Sequence, residues 1–377
     1  MKNSRRILLL TNYRADKQFS MLKFSEFLQI GKNSNLDIQE MYPKSVISTF
    51  IKKGLLRKWA AYTDKYLIFK NCIKHRLEDC YDLVHITDHS NSVYVSEIKH
   101  KSNAQVLITC HDLIAIRQAK GEFEDAPTVS STGKLLQSWI HKSLRHADYH
   151  ACDSLQTKKD LNRLVPHSRL NSSVVHLGTE TNFPATEKQL PSLDNLTFSP
   201  HKTNFLLHVG SAAWYKNRKA VFKAFRHSCK KFSNLDLKLI LVGPKPEIEE
   251  LDTDLSNWFR SHPKSLINLN NLSENSLSKL YKYAMALVCP SYVEGFGWPP
   301  LEAAVHGCPV ITTRTGAISD LLGDYAHYVD AEVQATINNA VVQTLESPDP
   351  NEKSISLPSH YDCRKSYYEL YNQLIKT

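Results

Sequence analysis

Short apolar runs that stop at polar or glycine-bearing turns recur along this chain, and they constrain its fold more than any other feature. Residues 6–12 (RILLLTN) form a basic-flanked apolar run that ends in polar residues. Residues 82–87 (DLVHIT) and 105–109 (QVLIT) repeat the form, leading into Asp88-His89-Ser90-Asn91 and His111-Asp112. Residues 149–153 and 173–177 are two shorter strand candidates. Such runs, alternating with helical stretches, predict βαβ units and a parallel sheet. In open sheets of this kind ligands gather beyond the carboxyl ends of the strands.

Residues 184–203 break the pattern with three prolines and no periodicity, the best domain boundary in the chain. A second α/β series follows, with strands expected at 205–209, 237–242, 286–289 and 309–312 and helices at 218–230 and 276–284. A length of 377 residues suits two domains of about 150–200 residues each. The expected fold class is α/β, two Rossmann-like doubly wound domains facing a cleft. The expected divisions are 1–185, a linker at 186–203, 204–355, and a terminal helix within 356–377.

Composition excludes several classes. Neither low-complexity tracts nor internal repeats occur. The apolar run at residues 7–10 is far below the ~20 residues of a spanning helix. The eight cysteines are scattered with no Cys-x-x-Cys pair, and read as reduced, buried hydrophobes of a cytoplasmic protein. The net charge of +9 is uneven: residues 1–190 carry 28 Lys and Arg against 19 Asp and Glu, and residues 191–377 carry 19 of each. Residues 44–76 alone hold nine basic residues and one acidic, Asp64. Their apolar positions 47, 51, 55, 59, 62, 66 and 69 are spaced like one face of a helix. A basic amphipathic helix of that kind is expected either to pack on the core or to lie on an anionic membrane surface, with the protein peripheral on the inner face. No nucleic-acid motif accompanies the charge, and no nucleic-acid partner is expected.

The stretch richest in chemistry is 291–309, SYVEGFGWPPLEAAVHGCP. A strand runs into Glu294-Gly295-Phe296-Gly297, then two prolines, then a helix expected to begin near Pro300 or Leu301. Glycines let backbone amides approach a ligand, and a helix N-terminus adds partial positive charge, which together suit a diphosphate. Glu294 and Glu302, with seven residues between them, are strong acceptors for sugar and ribose hydroxyls. A second element, residues 208–218 (HVGSAAWYKNR), ends a strand at Gly210 and brings Lys216 to a helix start, a clamp for phosphate. Val242-Gly243-Pro244 closes the next strand in the same fashion.

These motifs resemble the donor domain of family 4 retaining glycosyltransferases, of GT-B fold, whose signature is Glu, seven residues, Glu. Gly307-Cys308-Pro309-Val310-Ile311 and Gly323-Asp324 continue the pattern, and Leu272-Ser273 through Leu280-Tyr281 precedes it. The resemblance implies that Glu294 contacts the transferred sugar and Glu302 the ribose. It implies Lys216 as a diphosphate ligand, with Gly210, Ser211, Asn217, Gly243, Pro244, Gly295, Phe296 and Gly297 around the donor. Ser211 and Tyr215 stand where many members carry arginine, so Arg218 or Lys219 is a candidate substitute. In the first domain, Thr-x-His-Asp-Leu at 109–113 is similar to the family's active-site histidine, which implies His111 as a hydrogen-bond donor to the donor sugar or reacting centre. His89, Asp16, Lys17 and Ser20 are acceptor candidates. The helix at 361–375 resembles the family's last helix, which crosses back onto the first domain, with its tyrosines as packing.

The implied reaction moves a hexose from a UDP- or GDP-sugar to a saccharide or lipid-linked saccharide in polysaccharide synthesis, with retention, no cofactor and no divalent cation. Lys216 and the amides near 296–297 stand in place of a metal. Rival classes are a nucleotide-sugar epimerase, a phosphorylase with lysine-bound pyridoxal, and a non-catalytic binder of anionic surfaces.

Overall fold

The computed structural model describes residues 5–16, 18–29, 35–51, 53–166, 171–179, 198–247, 251–347 and 355–376. The chain divides into two compact units, Met1–Leu177 with His360–Thr377, and Gly178–Ser359. Of the linker expected at 186–203, residues 186–197 lie outside the described residues.

The strands of the first unit are β1 (Arg5–Leu10), β2 (Leu36–Met41), β3 (Leu83–Ile86), β4 (Gln105–Cys110), β5 (Tyr149–Cys152) and β6 (Ser172–Val174). Those of the second are β7 (Asn204–Val209), β8 (Leu237–Val242), β9 (Leu266–Leu269), β10 (Ala286–Cys289), β11 (Val310–Thr312) and β12 (His327–Tyr328). Each set forms one six-stranded sheet, ordered β2-β1-β3-β4-β5-β6 and β12-β11-β10-β7-β8-β9. Every pairing is parallel, with Ile7 opposite Leu83 and Leu206 opposite Ala286, for example. Both are doubly wound sheets, as the alternation of apolar runs predicts. The central strands are buried on both faces, which is why they read as unbroken apolar runs.

The helices are α1 (Phe19–Gln29), α2 (Leu55–Thr63), α3 (Phe69–Arg76), α4 (Val95–Lys101), α5 (Ile114–Ala119), α6 (Ser131–Leu144) and α7 (Leu155–Leu164) in the first unit. In the second they are α8 (Arg218–Lys231), α9 (Thr253–Ser261), α10 (Glu274–Tyr283), α11 (Trp298–Val305), α12 (Ile318–Leu322) and α13 (Gln334–Glu346). Several starts are fixed by side chains that accept from the first-turn amides: Ser130 from Gly133, Ser154 from Thr157, Asp252 from Leu255 and Ser273 from Ser276. The last helix, α14 (His360–Lys376), belongs to the first unit. Its Tyr367 and Tyr371 are fully buried, and their hydroxyls lie 2.8 Å from Thr109 Oγ1 and 2.7 Å from His85 Nδ1. All eight cysteines are free; Cys72 and Cys80 are exposed, contrary to the expectation of burial.

The stretch 44–76 departs from the single amphipathic helix its spacing suggests. A 3-10 turn at Ser48–Phe50 is followed by α2, a π-helical turn at Asp64–Ile68, and α3. A π turn inserts residues into the helical period, so one sequence stripe no longer lies on one face. Trp59 is exposed while Phe69 is buried. The one acid, Asp64, points inward. Its carboxylate accepts from the amides of Val46 (3.1 Å), Ile47 (2.8 Å) and Ser48 (3.1 Å) and from the Ser48 hydroxyl (2.6 Å). Burial alone would raise its pKa, but these donors outweigh it and hold the carboxyl below its ordinary value.

Asp64→Ala therefore leaves four donors without their acceptor and is expected to destabilise the first unit by about 2–4 kcal/mol, read by chemical denaturation. A carboxyl with a lowered folded pKa contributes stability above its unfolded pKa and loses it as pH falls. The wild-type advantage over Asp64→Ala should accordingly shrink below about pH 4.

Candidate active site

In the second sheet the chain leaves β7 for β8 on one side and later sets β10 on the other. The gap beyond the carboxyl ends of β7 and β10 is thus the topological switch point, where such sheets bind ligands. The loops after these two strands meet there. Tyr292 N donates to Tyr215 O (2.8 Å), and the Trp214 ring stacks on Tyr292 at 6.1 Å. Lys216 Nζ donates to both carboxylate oxygens of Glu294, at 2.7 and 2.9 Å. Both side chains are nearly buried. Burial would lower the lysine pKa, but the Glu294 charge beside it reverses the direction and Lys216 stays protonated.

Gly295, Phe296 and Gly297 follow, all buried. Gly297 has φ +93°, and a Cβ there would lie 2.4 Å from Ile318 Cγ1, so only glycine fits. The helix α11 begins at Trp298, two residues earlier than expected, with Pro299 and Pro300 in its first turn. Two of its first four positions thereby lack an N–H, which leaves the pocket amides few and raises the weight on Lys216. One turn on, Glu302 accepts from the hydroxyl of buried Tyr281 (2.8 Å). Burial, followed by the Glu302 charge, pushes the Tyr281 pKa up, so the phenol remains a donor.

The clamp predicted at 208–218 divides its labour. Arg218 donates to the carbonyls of Gly210 and Pro244 (2.9 Å for the latter), tying the end of β7 to that of β8. Gly243 has φ +142°, and a Cβ would come within 2.1 Å of the Gly210 carbonyl oxygen. Asn217 takes the left-handed conformation that starts α8 and donates to Ala331 O (2.9 Å). Ser211 is exposed, and Lys219 pairs with Asp252 at 3.5 Å. His208, which sequence alone did not single out, donates from Nδ1 to Val288 O (2.8 Å). Its Nε2 is buried with no hydrogen-bond partner. Burial, with Arg218 and Lys216 nearby, drives its pKa down to about 4, and the ring is neutral.

In the first unit a polar cluster sits beyond β1, β3, β4 and β5. Asn12 Nδ2 donates to Asp88, and Asn91 Nδ2 donates to Asn12 Oδ1 (2.9 Å). His89 is buried, its Nδ1 3.5 Å from Asp88 Oδ1. His111 is held at both nitrogens: Nδ1 donates to Asp153 Oδ2 (2.6 Å) and Nε2 to Thr87 O (2.9 Å). In this arrangement neither nitrogen is open to a sugar, and the ring supplies a fixed charge instead. Burial works against that charge, but Asp153 and then Asp88 prevail and raise the pKa to about 9. Asp153 was missed in the sequence because it closes a different strand, 42 residues further on. Asp16 pairs with Lys65 (2.7 Å), Ser20 is exposed on α1, and Lys17 lies outside the described residues. Among the described residues no three His, Cys, Asp or Glu side chains converge to hold a metal ion, and no helix is long and apolar enough to cross a membrane.

Two six-stranded, doubly wound parallel sheets give the chain the two-domain α/β architecture of the GT-B fold. Sucrose-phosphate synthase of Thermosynechococcus elongatus is similar over 99% of both chains with a TM-score of 0.73 and 17% sequence identity. Anabaena HepE, solved with UDP and glucose, is similar over 98% of this chain and all of its own, with a TM-score of 0.67 and 12% identity. Residues 193–356, which carry the site at β7 and β10, match the family model described as glycosyl transferases group 1. The serotype-specific mannosyltransferase WbdA of Escherichia coli is 26% identical over 251 residues, a match spanning 62% of this chain and 29% of WbdA. The O-antigen chain mannosyltransferase RfbU of Salmonella typhimurium is 28% identical over 165 residues, 43% of this chain and 44% of RfbU.

The His111 charge has a measurable signature. A histidine whose folded pKa is raised from 6.5 to about 9 contributes stability that is fully present below pH 6.5 and is lost as pH rises through 9. The denaturant midpoint of wild type should fall over that interval, and His111→Gln should lack the slope. A flat wild-type curve would remove the charge from His111.

Proposed function

We propose that the chain is a retaining hexosyltransferase that takes a nucleotide diphosphate sugar as donor and a saccharide or lipid-linked saccharide as acceptor. The observation that carries this reading is the buried Lys216–Glu294 pair at the β7/β10 switch point, with Glu302 held by Tyr281 seven intervening residues along. The mannosyltransferase relatives favour a mannosyl group and a role in polysaccharide assembly.

Each group has a task in the transfer. The donor's C1–O bond breaks with its electron pair passing to the departing phosphate oxygen. Lys216 leaves Glu294 to stabilise that charge, together with the amides of Gly295, Phe296 and Gly297. Glu294, released, accepts hydrogen bonds from hydroxyls of the transferred sugar, while Glu302 accepts from the ribose. Gly210, Ser211, Asn217, Gly243 and Pro244 shape the loops around the nucleotide. The acceptor oxygen bonds to C1 on the face the diphosphate leaves, and its proton passes to the departing phosphate. In the first unit Asp88, His89 and the His111 charge order the acceptor side, with Asp16 and Ser20 as further acceptor contacts. No protein nucleophile and no metal are assigned.

A thermal-shift screen with UDP, GDP, ADP and their sugars tests the donor site. One nucleotide should stabilise the wild type, by about 2.7 kcal/mol at a hundredfold excess over Kd. Glu302→Ala and Lys216→Gln should each weaken the affinity about tenfold or more, which lowers that stabilisation to about 1.4 kcal/mol or less at the same ligand concentration. NMR of the product should show the anomeric configuration of the donor. An inverted product would overturn the retaining assignment, and no response to any nucleotide at millimolar concentration would overturn the donor site.

A further inference from the structure

Eight of the eleven large apolar side chains exposed among the described residues fall in two short segments of the first unit, 46–67 and 135–139, so the exposure is one patch rather than scatter. Phe50 (85% exposed), Leu56 (72%), Trp59 and Leu67 come from the 3-10 turn, α2 and the π turn. Leu135 (73%) and Trp139 come from α6. The two segments are one surface, because rings link them: Trp59 to Tyr62 at 5.9 Å, Tyr62 to Tyr66 at 5.8 Å, and Tyr66 to Trp139 at 5.5 Å.

Charge on this surface is mostly positive. Lys53, Arg57 and Lys58 are exposed within the first segment and Lys44 just before it, and α6 carries Lys134 and Lys142 with no acidic residue. The only acid between positions 44 and 76 is Asp64, which is buried under the amides of residues 46–48. Lys65 of the π turn is paired with Asp16, and further along Lys70 and Lys74 are paired with Glu97. Apolar side chains ringed by lysine and arginine fit the boundary of an anionic bilayer, where rings and aliphatic tips enter the headgroup region and the cations meet phosphate. A second copy of this chain would bring a like charge to the same face.

We propose that the face built by the 3-10 turn, α2, the π turn and α6 seats on a lipid surface rich in anionic headgroups. It is a two-segment face, which a single amphipathic helix over 44–76 would not provide. The inference rests on the glycosyltransferase reading only for what the bilayer supplies, an acceptor anchored in lipid; the face itself is defined within the first unit.

The full chain is tested by co-sedimentation with vesicles of equal parts phosphatidylglycerol and phosphatidylcholine, and with phosphatidylcholine alone, at low and high salt. Wild type should bind the anionic vesicles at low salt and lose them at high salt. Phe50→Ser with Leu56→Ser and Trp59→Ser should lower partition about tenfold or more, as should Leu135→Ser with Trp139→Ser. Lys53→Gln with Lys58→Gln, at exposed positions, should lower it about fivefold per lysine. Each variant should keep the wild-type response to nucleotide, which separates loss of the lipid face from failure of the donor site. Absence of wild-type binding to anionic vesicles, equal binding to neutral ones, or variants that sediment like wild type would overturn the proposal. So would a wild-type dimer in gel filtration that the Phe50, Leu56 and Trp59 variant lacks.

Discussion

Every strand in both sheets runs parallel to its neighbours, and that constraint governs where chemistry can sit. In a parallel sheet every loop that follows a strand leaves from the same edge, and polar residues excluded from the core collect there. Where the winding reverses, two adjacent loops depart to opposite faces and leave a gap. In the second unit the gap lies between β7 and β10, and Lys216 meets Glu294 across it. In the first unit the reversal lies between β1 and β3, and Asn12 meets Asp88 across it. Two unrelated polar sets thus occupy equivalent places because the topology gives each sheet a single crevice of this kind.

Charge is handled differently at the two places. His111 is fixed, since both nitrogens donate to partners that belong to the framework, a carboxylate and a carbonyl. Lys216 is held otherwise: its partner is a carboxylate on a neighbouring loop, and the Trp214 ring stacks on Tyr292 between the same two loops. On the proposed reading the framework charge orients the acceptor side, and the loop-borne one would leave its partner for the charge that develops on the departing phosphate.

The sequence made the central strands legible and the edges illegible for one physical reason. Strands such as Leu83–Ile86 are covered on both faces and therefore read as unbroken apolar runs. Leu36–Met41 and Leu266–Leu269 lie at sheet edges, half-buried, and their mixed composition carries no comparable signal. Glu294, Glu302 and Lys216 could be named because local motifs surround them. Asp153, Tyr281 and His208 could not, since their roles exist only through partners brought close by folding; the HVG spacing around His208 was the one local hint. The stripe at 47–69 misled for a related reason. A π turn changes the helical period, so residues spaced as one stripe do not share one face, and Trp59 is exposed where Phe69 is buried.

One consequence follows from the buried Lys216–Glu294 pair. Opening it leaves a cation and an anion in a site shielded from water, and each must find a new complement at once. A diphosphate satisfies the lysine but offers the carboxylate nothing; a free sugar offers hydroxyls to the carboxylate but nothing to the lysine. Only a molecule that carries both, at the separation those two side chains set, leaves no stranded charge. On the proposed reading a nucleotide sugar would thus complement both groups at once, and a bare nucleotide the lysine alone.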